Sequence, residues 1–395
     1  MLKTLLIWIA AVTLSILSGA ATIGAVSKNT APRLVFSFIL ANGFSAQTAA
    51  VRQTKAFVAK NQRTFPDQVD PSVYTLALQA FESEPVTPGA IAVIALSRTG
   101  EDRRDLMEKA FQLSRRQQLA TGWLIMDSGA RNDLPAILKF YDTTLRTSRA
   151  SADIIIPMMA NALANDSFVE PFAEIMSKNP PWASGFWAHL VATPAALANA
   201  ANLRELLYNT DEPEDIYQDP ALINALAYNH QFEKTEQLYA LLNRPAEGND
   251  LVRNGQFTSG SKYPPLDWQL FSNGEYGASI DQGRLVLSAI SSSGGLFARQ
   301  LVKLPSGLLT LRLELTEALP SDSKLFLELS CAADIQNKPL AARIPLSGNL
   351  VARDISNSGS PCRYYWLDIT GRSADRGDGF DVSISSISLR SKGSD

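Results

Sequence analysis

Hydrophobic positions along this chain change their period once. From about residue 34 to 245 they recur at the three- and four-residue spacing of amphipathic helices, and beyond residue 251 they alternate with polar positions. Asp70 and Pro71 can start a helix carrying Val73, Leu76, Ala77 and Ala80. Thr87-Pro88 reads as a cap followed by a first-turn proline; the helix it opens runs through Ile91 and Ile94 toward Arg98, and Gly100 can end it. In the alternating half, Leu309, Leu311, Leu313 and Leu315 share one face of a predicted strand, and Thr310, Arg312 and Glu314 the other. Leu325, Leu327 and Leu329 repeat that pattern. Further strands are predicted at 284–288, 297–304, 364–369 and 380–389, with turns at Asp281-Gln282-Gly283 and Pro305-Ser306-Gly307. In the last strand the apolar phase slips at Ser385-Ser386, which reads as a bulge. Leu251 to Phe257, at the switch of period, reads as the first strand.

The helical half carries a degenerate repeat. Trp123-Leu124-Ile125-Met126 leads through a polar turn to Leu134, Met158 to Leu163 leads to Phe168, and Leu222 to Leu226 leads to Phe232, with Asn229 where a glycine is expected. Leu134 and Phe168 are 34 positions apart. A helix-turn-helix unit cannot bury its apolar face alone, so neighbours must stack. The spacing resembles tetratricopeptide-type repeats and implies an α-solenoid of helical hairpins over 34–245; a compact irregular helical domain is the alternative. Pro180-Pro181-Trp182 interrupts the array, because proline is rejected from helix interiors. The solenoid face suggests envelope proteins as partners.

Residues 1–26 read as a transmembrane anchor or a signal peptide. The run from Thr4 to Val26, about 23 residues, follows the single charge Lys3 and is long enough to span a bilayer. Ser18-Gly19-Ala20 has the small-x-small form of a cleavage site. Either reading places the rest of the chain outside the cytoplasm: a single-pass inner-membrane protein with a periplasmic C-terminal region, or one released to the periplasm. Cys331 and Cys362, the only cysteines, fit an extracytoplasmic disulfide closing a loop of about 30 residues.

Composition narrows the chemistry. At 395 residues the chain exceeds one typical domain, and 46% apolar content suffices for a core. The net charge of −3, from 36 basic and 39 acidic residues, argues against a nucleic-acid partner. Two histidines, His189 and His230, leave little for a multi-histidine metal site. Phosphate-binding loop, dinucleotide fingerprint and nucleophile elbow are absent. The carboxylate pairs Glu101-Asp102, Asp211-Glu212 and Glu214-Asp215 read as solvated turns, so no catalytic residues are expected. Arg103, Arg104, Arg115 and Arg116 form a basic cluster, read as a solvated helix face or a patch for acidic polymer or lipid headgroups.

The strand order suits a jelly-roll β-sandwich over 251–390. Asn254-Gly255-Gln256-Phe257 with Trp268, the segment Gly294 to Gln300, and the closing strand resemble the carbohydrate-binding-module and galactose-binding-like superfamily. The resemblance implies chiefly structural roles for Asn254 and Trp268. It also implies sugar binding by aromatic stacking beside polar groups, with Trp268, Tyr276, Arg299, Gln300, Tyr364 and Trp366 as candidate ligand-binding residues. Asp375 to Asp381 is a turn or a structural calcium loop; no cofactor is otherwise expected. The expected whole is a multidomain α plus β, non-catalytic envelope scaffold or adaptor in exopolysaccharide assembly or export, with glycan binding by its C-terminal domain. The alternatives are a lectin-like module without an assembly role and a polysaccharide-modifying enzyme.

Overall fold

The computed structural model describes residues 11–16, 18–19, 43–61, 64–208, 217–243, 249–333, 339–341 and 343–392. Most of the N-terminal segment read as anchor or signal lies outside these residues. Among the described residues no helix is long and apolar enough to cross a membrane. Compact units divide the chain as residues up to Pro157 with Glu174–Trp182, and as Met158–Ala173 with Ala183 onward.

The helical part comprises α1 (Gly43–Lys60), α2 (Pro71–Ser83), α3 (Pro88–Leu96), α4 (Gly100–Leu113), α5 (Gln118–Ala130), α6 (Leu134–Thr147), α7 (Ala152–Ala162), α8 (Val169–Met176), α9 (Ala183–Leu190), α10 (Leu197–Leu206), α11 (Asp219–Tyr228) and α12 (Phe232–Leu242). In the first unit α1 to α6 pack each on the next, and α1, α3 and α5 also meet one another in turn. Helix α3, Pro-Gly-Ala-Ile-Ala-Val-Ile-Ala-Leu, is apolar all round and accordingly the most enclosed. Its small residues let α1 approach closely: a side chain at Gly89 would meet Val51 and Gln47. Asp70 caps α2 by accepting from the Ser72 N–H. Thr87 does not cap α3 in this way, because its hydroxyl donates to Glu84 O instead. Gly100 opens α4 rather than ending α3, which stops at Leu96; its left-handed φ of 56° turns the chain into the next helix.

The predicted helix-turn-helix units at Leu134, Phe168 and Phe232 are all present. Two of them close with the same chemistry. Asn132 and His230 take left-handed φ values of 55° and 58°, and the following N–H reaches five residues back, Asp133 to Ser128 O and Gln231 to Leu226 O. This is the Schellman ending. The residue standing in for glycine is therefore His230, not Asn229. Trp182 seats its indole N–H on Asp142. The basic cluster is partly consumed: Arg103 donates to the carbonyls of Arg98, Asp67 and Leu96, and Arg104 pairs with Asp127 and Glu101.

In the second unit Phe172, Phe186, Trp187 and Tyr217 form a buried aromatic run, and Arg204 pairs with Asp219 in the interior at 2.8 Å. Beyond α12 lie β1 (Gln269–Leu270), β2 (Tyr276–Asp281), β3 (Arg284–Ala289), β4 (Gly294–Lys303), β5 (Leu308–Leu315), β6 (Lys324–Cys331), β7 (Ile344–Pro345), β8 (Leu350–Ser356), β9 (Tyr364–Arg372) and β10 (Phe380–Ser391). They form two five-stranded antiparallel sheets, β1-β4-β9-β6-β7 and β2-β3-β10-β5-β8. Leu309, Leu311, Leu313 and Leu315 of β5 and Leu325, Leu327 and Leu329 of β6 face the core between the sheets, as their alternation predicts. Register shifts between Ile384 and Ser386, at the predicted bulge. Cys331 and Cys362 are joined.

Leu251 to Phe257 is not a strand. Asn254 and Phe257 have positive φ, which breaks the extended run. The segment still borrows ladder bonds from β10, Leu251 N–H to Leu389 O and Ile387 N–H to Gly255 O.

Candidate functional site

The outer face of the first sheet is built by alternation. On β9, Tyr365, Leu367 and Ile369 point into the core, so Tyr364, Trp366, Asp368 and Thr370 point out. Register then sets level rows across the sheet. Lys303 stands beside Tyr364; Leu301 and Ser330 flank Trp366; Arg299 and Glu328 flank Asp368; Phe326 stands beside Thr370. Gln269 on β1 extends the third row past Arg299. The result is a polar row, Gln269–Arg299–Asp368–Glu328, with Trp366 on one side and Phe326 on the other.

The helical hairpin α11–α12 covers one end of this face. Phe232 stacks on Tyr364 with ring centroids 4.9 Å apart, and Tyr228 stacks on Trp366 at 5.2 Å. His230 places Nδ1 3.1 Å from Ala332 O. Tyr239 donates to Asp267 at 2.8 Å, and Arg253 donates to Glu236 at 2.8 Å. Aromatic stacks beside hydrogen bonds and an ion pair suit an interface that is apolar in its body and polar at its edges. Tyr364 is 4% exposed and its hydroxyl has no partner. Burial, then Glu233 and Glu236, push its pKa up to about 12. Burial and the Asp267 carboxylate likewise hold the Tyr239 hydroxyl well above its usual range.

At the row itself, Arg299 grips Asp368 through Nε and Nη2, both at 2.7 Å. Such a two-pronged pair is the strongest geometry for these groups. Burial pulls the guanidinium pKa down, but Asp368 and a hydrogen bond with Tyr228 more than offset this, so it lies above its usual value and the charge persists. The same guanidinium lies 4.8 Å from the Trp366 ring. Glu328 accepts from the Thr370 hydroxyl and pairs with Arg343 at 3.3 Å, and Arg343 also lies over Phe326. Tyr228, 40% exposed, donates its hydroxyl to Gln269 at 2.8 Å.

The six candidates from the sequence are thus separated. Arg299 and Trp366 sit in the face. Tyr364 belongs to the hairpin interface. Gln300 is fully buried and pairs with the backbone of Arg253, accepting from its N–H and donating to its carbonyl. Trp268 is 0% exposed, packed on Phe257 and donating to Asn254 O; a sealed ring has no face for a sugar. Tyr276 packs edge-on against Phe297 and its hydroxyl fills the space over Gly295, away from the row. Among the described residues, no three His, Cys, Asp or Glu side chains are grouped to hold a metal, and Asp375 in the acidic loop pairs with Arg372.

Glu328, Asp368 and Thr370 are legible as the polar phase opposite Leu325, Leu327, Leu329, Leu367 and Ile369, and Phe326 shares that phase without being polar. Gln269 and Tyr228 carried no such signal, since a two-residue strand and a helix terminus come together only in the fold. The outward positions of the second sheet, among them Thr310, Arg312, Ser383, Ser388 and Arg390, offer no ring.

No family model matches this sequence, and no curated protein sequence matches it. Among solved structures, the chain is similar to a CBM61 module in complex with β-1,4-galactotriose (16% identity, 37% of this chain and all of that one, TM-score 0.26). It is also similar to a CBM4 module (10% identity, 36% of this chain and 99% of that one, TM-score 0.27). A third is the CBM22-1 xylan-binding domain of Xyn10C from Paenibacillus barcinonensis (10% identity, 37% of this chain and 96% of that one, TM-score 0.25). The β-sandwich itself stands on the strand pairing of this chain.

Proposed function

We propose that this protein is a non-catalytic scaffold of the cell envelope that holds a glycan on the outer face of its first sheet. The observation that carries the reading is the polar row Gln269–Arg299–Asp368–Glu328 lying between ring systems. Carboxylates and amides in a fixed row accept and donate to sugar hydroxyls, while rings cover the C–H faces of the same sugars. The paired and hydrogen-bonded state of Asp368 and Glu328 suits recognition rather than proton transfer. The helices form an α-solenoid of tetratricopeptide type that presents a face to envelope proteins; the neighbour and next-neighbour packing of α1 to α6 supports this. The segment 1–26 anchors the chain in the inner membrane or exports it. Its role in exopolysaccharide assembly or export follows from joining these parts.

An adaptor that binds no sugar is the second reading, favoured by the hairpin's cover over Tyr364 and Trp366. Native affinity electrophoresis through soluble neutral polysaccharides separates the two. Retardation of the wild-type protein, weakened about tenfold in Glu328→Gln or Asp368→Asn, is the expected outcome, a hydrogen bond to a charged group contributing about 1.5 kcal/mol. Unretarded migration in every polysaccharide tested supports the adaptor.

A further inference from the structure

We infer that the glycan face is composite: Tyr228, a residue of helix α11, supplies its stacking ring, and the face takes neutral pyranoses. This deepens the proposed glycan reading and rests on it. The strand aromatics of this face are used up. Tyr364 is buried beneath Phe232 and carries Lys303 near its ring, and Trp366 is 5% exposed between Tyr228 and Arg299. Tyr228 is the outermost member of the stack: one ring face lies on Trp366 and the residue remains 40% exposed. Its hydroxyl donates to Gln269, which fixes the ring at the edge of the polar row. A ring held by its tip and backed by a second ring loses little freedom on stacking against a sugar.

The charge pattern selects the sugar. A uronic acid needs an open guanidinium fork, but Arg299 already spends its fork on Asp368. The acceptors along the row, on Asp368, Glu328 and Gln269, take hydroxyl donors, and with each carboxylate paired to an arginine the row carries no net charge to draw an acidic sugar. The other cation at the row, Arg343, is paired with Glu328.

The test uses the full-length protein in detergent, with Tyr228→Ala, Tyr228→Phe and Tyr228→Trp, titrated with soluble β-glucan, xylan, galactan and polygalacturonate. Expected are binding to at least one neutral polymer in preference to polygalacturonate, a loss of about five- to tenfold in Tyr228→Ala, and retention in Tyr228→Trp. Tyr228→Phe keeps the ring and loses only the hydroxyl bonds, so it binds better than Tyr228→Ala even if the latter is less stable. Equal affinity of wild type and Tyr228→Ala, or preference for polygalacturonate, overturns the inference and leaves glycan binding standing. No binding to any polymer overturns the glycan reading and this inference together.

Discussion

Gly255 shows how much one position of the Asn-Gly-aromatic opening constrains. A β-carbon there would lie 2.0 Å from Ile387 O, the oxygen of the residue whose N–H the Gly255 carbonyl accepts. The neighbouring Asn254 is left-handed, donates to Ser259 O, and offers its own carbonyl to the Trp268 indole. The motif is therefore a clasp between the chain's entry to the sandwich and its last strand. Gly255→Ala should lower unfolding stability by about 2–3 kcal/mol, because backbone must move to admit the methyl group. Chemical denaturation measures this, and an unchanged midpoint contradicts it. At this scale the motif points to structural roles for Asn254 and Trp268, although Trp268 is also a ligand-binding candidate from the sequence; in the fold its ring is sealed. The sequence was uninformative about exposure. Gln300 looked like a ligand residue because it lies next to Arg299 on a strand, yet alternation sends the two side chains to different surroundings.

Elements were legible where burial was one-sided. The strands β3, β5, β6 and β10 carry alternation because each has a core face, and β4 and β9 carry near-continuous apolar runs because they are covered on both sides. The missed strands lack that signal: β2 has no fully buried residue and β8 buries only Val351 and Ile355. Edge strands of this kind need little apolar sequence. The hairpin α11–α12 reads from the sequence as a repeat unit, and its turn at His230 closes with the same bond as the turn at Asn132. Its seating on the sheet was illegible, since Phe232 and Tyr228 look like ordinary helix residues until Tyr364 and Trp366 are opposite them. The partnerless Tyr364 hydroxyl gives that seat a signature. Its pKa of about 12 exceeds the usual 10, so its contribution is complete below pH 10 and is lost as pH rises toward 12, where the unfolded chain ionises first. Tyr364→Phe should raise stability at neutral pH by about 1 kcal/mol, having no orphan hydroxyl to desolvate, and should flatten the alkaline decline. Thermal melts from pH 7 to 12 check both; a destabilised variant with an unchanged alkaline slope contradicts them.

At the scale of the molecule, the change of hydrophobic period near residue 250 correctly marks where helices give way to strands. Compactness follows a different division, because α11 and α12 continue into the sandwich through stacked rings and the Arg253–Glu236 and Tyr239–Asp267 links. The Cys331–Cys362 bond, expected from the only two cysteines of the sequence, lies in the strand-rich part. The most direct measurement is hydrogen exchange of the full-length protein with and without a saturating neutral oligosaccharide. The expected result is slowed exchange in β4, β6 and β9 around Arg299, Glu328 and Asp368, and in the α11–α12 turn beside Tyr228, with the second sheet unchanged. Protection confined to the second sheet, or to loops remote from this row, contradicts the account.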